Sequence, residues 1–218
     1  MSHPIKLLIF DLDDTLIKSN IDYSQIRREV VELFDNPIPE ETIIKTPILK
    51  LLDRLKEVHP NKYPEGYKRV YETEREATEQ ANIIEGAEKI PALLKKHRIL
   101  SAIYTNNSLN TVKLYLAKPG FKFLHRFQIH TREDFTNPKP DPEGLIKIIS
   151  LFQKPEITRE NTAYIGDSYI DAFAAHNANV KFIWFNSRDV DSSLFPAPPY
   201  AVLTNWENFE NFLRDRLS

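Results

Sequence analysis

The sequence contains no cysteine. That absence removes thiolate catalysis, disulfide staples and cysteine-ligated zinc, and it fits a reducing compartment, so a cytoplasmic location is expected. An excess of either charge is also missing: 29 Lys+Arg stand against 31 Asp+Glu, a formal net charge of -2. Such a balance offers no basic footprint for nucleic acid or for an anionic membrane surface, and neither is expected as a partner. Long apolar runs are lacking too. The run nearest the N-terminus stops at Asp11, short of the roughly 7–15 apolar residues of a secretory signal and far short of a membrane span. A soluble, unexported chain is therefore expected. The six histidines show no HxH or HExxH spacing, which argues against a histidine-bound zinc. Internal repeats and low-complexity tracts are absent as well.

What is present alternates. Residues 5–10 (IKLLIF) form a continuous apolar run bounded by polar residues, as a strand covered on both faces of a parallel sheet does. Residues 99–104, 127–130, 162–165 and 180–185 read the same way, and between them lie helical patterns over 87–97, 108–117, 142–152 and 170–177. Strand and helix in alternation predict an α/β fold, a Rossmann-like parallel sheet with right-handed crossovers. Asp141 is expected as the N-cap of the helix that Pro142 starts, and Asn179 as a left-handed C-terminal cap.

One segment breaks the pattern. From about residue 22 to 82 no strand is predicted; Ile26, Val30 and Leu33, then Ile48, Leu51, Leu52 and Leu55, then Tyr63, Tyr67, Val70 and Tyr71 recur at helical spacing. Pro37, Pro39, Pro47, Pro60 and Pro64 punctuate this stretch into three or four helices. It is too long for an ordinary crossover and predicts an all-helical domain over 17–85, inserted into a core of 1–16 and 86–218. The Tyr63, Tyr67, Tyr71 stripe reads as packing, and Arg27, Arg28, Arg54 and Arg69 as a solvated face.

Ligands of an open parallel sheet bind beyond the carboxyl ends of its strands. Asp11 and Asp13 follow the first strand; Thr105, Asn106 and Asn107 follow the second; Lys139 precedes a helix; and GDSYID supplies Asp167, Ser168 and Asp171. All fall on one edge of the predicted sheet. Clustered carboxylates beside a lysine and neutral donors suit a hard cation together with an anion. Mg²⁺ takes one or two carboxylates plus phosphate oxygens, with Asp11 and Asp167 the expected ligands. Thr105, backbone N–H groups near Asn106 and the Lys139 ammonium are placed to hold a phosphoryl group. Asp14 reads as a helix-start or solvent residue rather than part of this set.

The segments DLDDT, YTN, NPKP and GDSYID, in that order, resemble the four motifs of the haloacid dehalogenase-like superfamily, across residues 5 to about 185. The resemblance implies a Rossmann-like core with a helical cap inserted between the first and second motifs. It also implies Asp11 as the nucleophile that forms an aspartyl-phosphate, and Asp13 as general acid and base whose backbone carbonyl also meets Mg²⁺. Thr105 and Lys139 would grip the phosphoryl group, Asp167 would ligate Mg²⁺, and Asp171 would support it directly or through water. Family members that cleave carbon–halogen bonds lack an aspartate at the second position, so Asp13 favours phosphorus as the electrophile. Where many relatives carry Gly, this chain has Asp14.

The chemistry supports the same assignment. A carboxylate attacking a phosphate monoester splits hydrolysis into two in-line displacements, and an acid two residues on can protonate the leaving alkoxide and later deprotonate water. The expected activity is Mg²⁺-dependent hydrolysis of a small phosphomonoester, with the helical insertion as a closing lid. A phosphomutase of the same superfamily would use identical core residues. A phospho-aspartate receiver would be shorter and carry its acceptor on a middle strand, and a non-catalytic binding protein would not retain every motif position. The natural substrate and the oligomeric state are not legible in the sequence.

Overall fold

The apolar run before Asp11 forms strand β1 (Leu7–Phe10), all four of whose residues are fully buried. Burying each such side chain is worth about 1.5–3 kcal/mol relative to exposing it, which favours the centre of a sheet over its edge. The computed structural model describes residues 4–35, 38–39, 42–43, 46–152, 154, 156–186 and 192–217. Pro37, read above as a helix breaker, and His3 lie outside the described residues.

Chain order continues with β2 (Ile17–Lys18), among the described residues helices α1 (Tyr23–Val31), α2 (Ile48–Val58) and α3 (Tyr63–Gln80), β3 (Asn82–Ile83), α4 (Ile90–Lys96), β4 (Leu100–Tyr104), α5 (Leu109–Ala117), β5 (Gln128–His130), α6 (Glu143–Leu151), β6 (Thr162–Gly166), α7 (Tyr169–Asn177), β7 (Lys181–Phe185), β8 (Ala201–Leu203) and α8 (Phe209–Leu217). Six of the strands make one parallel sheet in the order β5-β4-β1-β6-β7-β8. Leu7 pairs with Leu100 on one side and with Thr162 on the other. The chain runs outward from β1 through β4 to β5, then returns to β6 and runs outward the other way. The carboxyl end of β1 is therefore a topological switch point, the place where open α/β sheets bind ligands. The Rossmann-like α/β class read from the sequence holds.

The chain divides into two compact units, 1–18 with 82–218, and 19–81. Both joints lie beside a two-stranded antiparallel ladder, where Ile17 pairs with Ile83 and Lys18 with Asn82. In the helical unit α1 (Tyr23–Val31), α2 (Ile48–Val58) and α3 (Tyr63–Gln80) pack around Ile26, Val30, Leu51, Leu52, Leu55 and Val70. Asp22 caps α1 by accepting from the Ser24 and Gln25 N–H groups at 3.0 and 2.9 Å. Pro47 is the N-cap residue of α2, and Pro64 sits in the first turn of α3, where no helical N–H is lost.

Several local readings change. Strand β8 carried no signal, because three residues at a sheet edge are too few for periodicity, and β2 and β3 are shorter still. The N-cap of α6 is Pro142 rather than Asp141, although Asp141 Oδ1 still accepts from the Glu143 N–H at 2.9 Å. Asn179 does take the left-handed conformation after α7, at φ 54°. Asp14 neither starts a helix nor faces solvent: it is buried at φ 52°, inside a tight turn whose Leu12 carbonyl accepts from the Leu16 and Ile17 N–H groups. Arg27 is buried, not part of a solvated face, because its Nε donates to the Thr46 carbonyl at 3.0 Å. No helix among the described residues is long and apolar enough to cross a membrane.

Candidate active site

Asp11 follows β1 directly, and its N–H donates to the Ile165 carbonyl of β6 at 2.8 Å, continuing the ladder by one residue. The ladder thus fixes the Asp11 backbone at the sheet's carboxyl edge and leaves its side chain to the crevice. The turn that follows returns Asp13 beside Ile17 through a parallel bridge.

Lys139 arrives from the loop before α6, preceded by Pro138 and joined to Pro140 by a cis peptide bond. Asn106 clamps its backbone twice: Nδ2 donates to the Lys139 carbonyl at 3.0 Å, and Oδ1 accepts from the Lys139 N–H at 3.0 Å. The ammonium then meets Asp11 Oδ1 at 2.6 Å, the Tyr164 hydroxyl at 2.7 Å and Asp171 Oδ1 at 2.8 Å. Three partners match its three donors. The rings of Tyr104 and Tyr164 add their faces, each with its centroid 5.4 Å from Nζ.

Asp171 is held as firmly. Its Oδ2 accepts from the Ser168 hydroxyl at 2.6 Å and from the Ser168 N–H at 3.2 Å, a capping box that opens α7. Gly166 makes this approach possible, since a Cβ there would stand 2.5 Å from the Asp171 carboxyl carbon. Thr105 is almost fully buried; its N–H donates to the His130 carbonyl, and its hydroxyl accepts from the Asn107 N–H at 3.1 Å. The loop after β5 braces the same turn, through Arg132 N–H to the Asn107 carbonyl and Arg132 Nη1 to the Asn106 carbonyl at 3.3 Å.

Charge here is concentrated and out of water. Asp11, Asp13, Asp167, Asp171 and Lys139 are all buried. Burial pushes the Asp11 carboxyl well above the usual carboxylate range; Lys139 opposes this, while Asp171, Asp167 and Asp13 add to it. Burial also works against the Lys139 charge, yet Asp11 and Asp171 override it and hold the ammonium above the ordinary lysine range. The Tyr164 phenol is raised by burial first and by Asp171 and Asp11 next, so it stays neutral.

Lys139 is shared between two of these carboxylates, Asp11 and Asp171. Asp11, Asp167 and Asp171 each offer an oxygen within 4.8 Å of the others. An all-oxygen, carboxylate-rich donor set fits a hard divalent cation such as Mg²⁺ and does not suit a soft one.

The fold thus brings Asp11, Asp13, Thr105, Asn106, Lys139, Asp167 and Asp171 to one edge of one sheet. Sequence reasoning missed Tyr164, Gly166, and the Asn107 side chain and Tyr115 hydroxyl, both of which donate to the Asp13 carboxylate. Tyr164 sits inside an apolar strand, where a tyrosine reads as core, and nothing in its spacing distinguishes it. Gly166 stands in GDSYID, but only the fold shows that Asp171 packs against it.

Comparison with known proteins gives a consistent result. The profile of a family described as haloacid dehalogenase-like hydrolase matches residues 8–185. A pyrophosphatase, PpaX, of Listeria innocua is 30% identical over 187 residues, covering 82% of each chain. A hydrolase from Pseudomonas syringae superposes with a TM-score of 0.77 at 21% identity, covering 99% of this chain and all of the other. A HAD-superfamily hydrolase of subfamily IA from Geobacter sulfurreducens superposes with a TM-score of 0.61 at 21% identity, covering 96% of both.

Proposed function

The chain belongs to the haloacid dehalogenase-like hydrolase family, and from that premise we propose that it is a cytoplasmic, Mg²⁺-dependent phosphatase that hydrolyses a small phosphomonoester through an aspartyl-phosphate on Asp11. The observation that carries this reading is the Lys139 ammonium 2.6 Å from Asp11 at the switch point of the sheet, with the buried carboxyl of Asp13 two residues on.

In the first displacement an Asp11 oxygen bonds to phosphorus while the ester P–O bond breaks, and Asp13 gives its proton to the departing alkoxide. In the second, water attacks the same phosphorus, Asp13 takes its proton, and the P–O bond to Asp11 breaks. The products are the alcohol and inorganic phosphate, and both aspartates return to their starting states. To hold the phosphoryl oxygens, Lys139 would exchange one of its three present contacts for a phosphoryl oxygen, beside the Thr105 hydroxyl proton and the Asn106 N–H. Burial of this set keeps the donors oriented before charge develops. Asp11, Asp167 and the Asp13 backbone carbonyl would hold Mg²⁺, which when bound supplies neutralising positive charge to the phosphoryl group. Both Asp171 oxygens are engaged by Lys139, Tyr164 and Ser168, which suits Asp171 to orienting the lysine.

The likeness to a pyrophosphatase over four-fifths of the chain favours inorganic pyrophosphate as a second reading. One experiment tests both. Phosphorylated sugars, nucleotides, two- and three-carbon phospho-acids and pyrophosphate are assayed for phosphate release with Mg²⁺, with EDTA, and with EDTA followed by excess Mg²⁺. Release from at least one monoester, lost with EDTA, restored by Mg²⁺ and needing no bisphosphate, is expected. Turnover of pyrophosphate alone would select the second reading, and metal-independent turnover would overturn both.

A further inference from the structure

Both oxygens of Asp13 are engaged by neutral donors. Asn107 Nδ2 donates to Oδ2 at 2.5 Å, and the Tyr115 hydroxyl donates to Oδ1 at 3.2 Å. Asn107 belongs to the loop after β4, but Tyr115 comes from α5, outside the four motif segments. Its ring is fully buried and stacks on Phe121, with centroids 5.8 Å apart and planes 25° apart. A tyrosine has only two side-chain torsions, and full burial against a stacked ring leaves its hydroxyl at a fixed point.

We propose that Tyr115, together with Asn107, is a positioning residue for Asp13: it holds the carboxyl in the orientation from which one oxygen reaches the leaving-group oxygen. This rests on the reading of Asp13 as acid and base given above. Tyr115 exchanges no proton in the cycle; the proton passes from Asp13 to the alkoxide and from water back to Asp13. Its effect is geometric. A proton donor displaced by about 1 Å can lose two orders of magnitude in rate, and Asp13 sits inside the tight turn that the Leu12 carbonyl closes, which fixes its backbone but not its side-chain torsions.

A buried tyrosine needs some partner for its hydroxyl, and in a purely structural role Asp13 would be no more than that partner. The two roles differ in what they change. A packing role lowers stability and affects all substrates alike. A positioning role acts through Asp13, so it matters where the leaving group needs a proton and vanishes where Asp13 is already disabled.

The test uses the full-length enzyme with Mg²⁺ and compares wild type, Tyr115→Phe, Asp13→Asn and the double variant. Each is assayed for kcat/KM on an alkyl phosphomonoester and on p-nitrophenyl phosphate, whose leaving group scarcely needs protonation. Displacing the acid from its working position corresponds to about a tenfold or larger drop. Tyr115→Phe is expected to show that drop on the alkyl ester, with less than about a threefold change on p-nitrophenyl phosphate and no further loss in the Asp13→Asn background. Equal losses on both substrates, or an undiminished loss in the Asp13→Asn background, would overturn the proposal. Asn107→Ser removes the other donor and should give the same pattern if the phenylalanine variant does not fold. Should wild type hydrolyse neither ester, nor any monoester of the panel above, the phosphatase reading fails by itself. The positioning claim is then decided by a crystal structure of Tyr115→Phe, in which an unchanged Asp13 rotamer would refute it.

Discussion

Lys139 in the α/β unit and Lys62 in the helical unit each pair with an aspartate at 2.6 Å, yet their surroundings differ completely. The Lys139 side chain is 4% exposed and its partner Asp11 10%, whereas Lys62 is 35% exposed and its partner Asp35 63%. An ion pair in water contributes little, because solvent screens it and the side chains lose entropy in making it. A buried pair carries a desolvation cost that only further partners offset, here Asp171 and Tyr164. The α/β unit therefore holds charge where it costs stability, as a functional site does. The helical unit buries mainly apolar side chains, and the charged pairs Arg69–Glu65 and Lys68–Glu72 lie at helical spacing on its exterior. The same distance has two meanings, and burial decides which applies.

The largest effect that would break this comparison lies at Asp11. Asp11→Asn should reduce turnover on the order of 10⁴-fold or more while leaving the fold intact, since the amide keeps the shape but has no nucleophilic charge. Near-normal kcat in that variant would remove the functional meaning of the buried charges. In the helical unit the strongest perturbation should be apolar. Leu55→Ala empties a fully buried site and should cost about 2–5 kcal/mol, read as amide exchange in α1 to α3 faster by roughly 1.5 to 3.5 powers of ten. Exchange that accelerates equally in the sheet would show that the two units do not unfold separately.

Two glycines sharpen the contrast. At Gly144 an added Cβ would overlap the hydroxyl end of Tyr104, whose ring is pinned edge-on against Phe135 at 5.1 Å and lies under Lys139. Gly144→Ala should cost about 1–3 kcal/mol and lower kcat/KM as well. At Gly66 the Cβ meets the ends of leucine side chains, Leu55 Cδ2 at 2.7 Å and Leu52 Cδ2 at 3.2 Å. Those ends can rotate, and alanine gains up to about 1 kcal/mol of helix propensity over glycine. Gly66→Ala should thus be near neutral in thermal unfolding and leave kcat/KM unchanged; a loss as large as that of Gly144→Ala would contradict the distinction.

The smallest effect concerns Asp35. Hydrogen bonding to Lys62, then the charges of His59 and Lys62, hold its carboxyl below the usual range. A folded-state value lower than the unfolded one, about 3.9, gives a contribution present above that pH and lost as pH falls through the folded value. Asp35→Asn should lower the melting temperature slightly at pH 7, with the gap closing below about pH 4. A gap that widens in acid would mean that the carboxylate is not what Asp35 contributes.

The alternation of apolar runs, the helical insertion and the order of DLDDT, YTN, NPKP and GDSYID were legible because they depend on local periodicity and on turn chemistry, which a linear string carries. So was the gathering of Asp11, Thr105, Lys139 and Asp167 at one sheet edge, which follows from parallel strands ending on the same side. Strand β8 and the N-cap at Pro142 were not, because a three-residue edge and a one-residue shift lie below what periodicity resolves. Nor could the string show that Tyr164 rather than a solvent molecule completes the Lys139 shell, that Tyr115 reaches Asp13 across 102 positions, or that Asp14 is buried. These depend on which side chains meet across crossovers, and a tyrosine in an apolar run looks the same whether its hydroxyl ends in a void, in water or on a catalytic carboxylate. Residue chemistry was settled by the sequence alone; which of those residues lost their water, and to which partners, was decided only when the sheet closed around them.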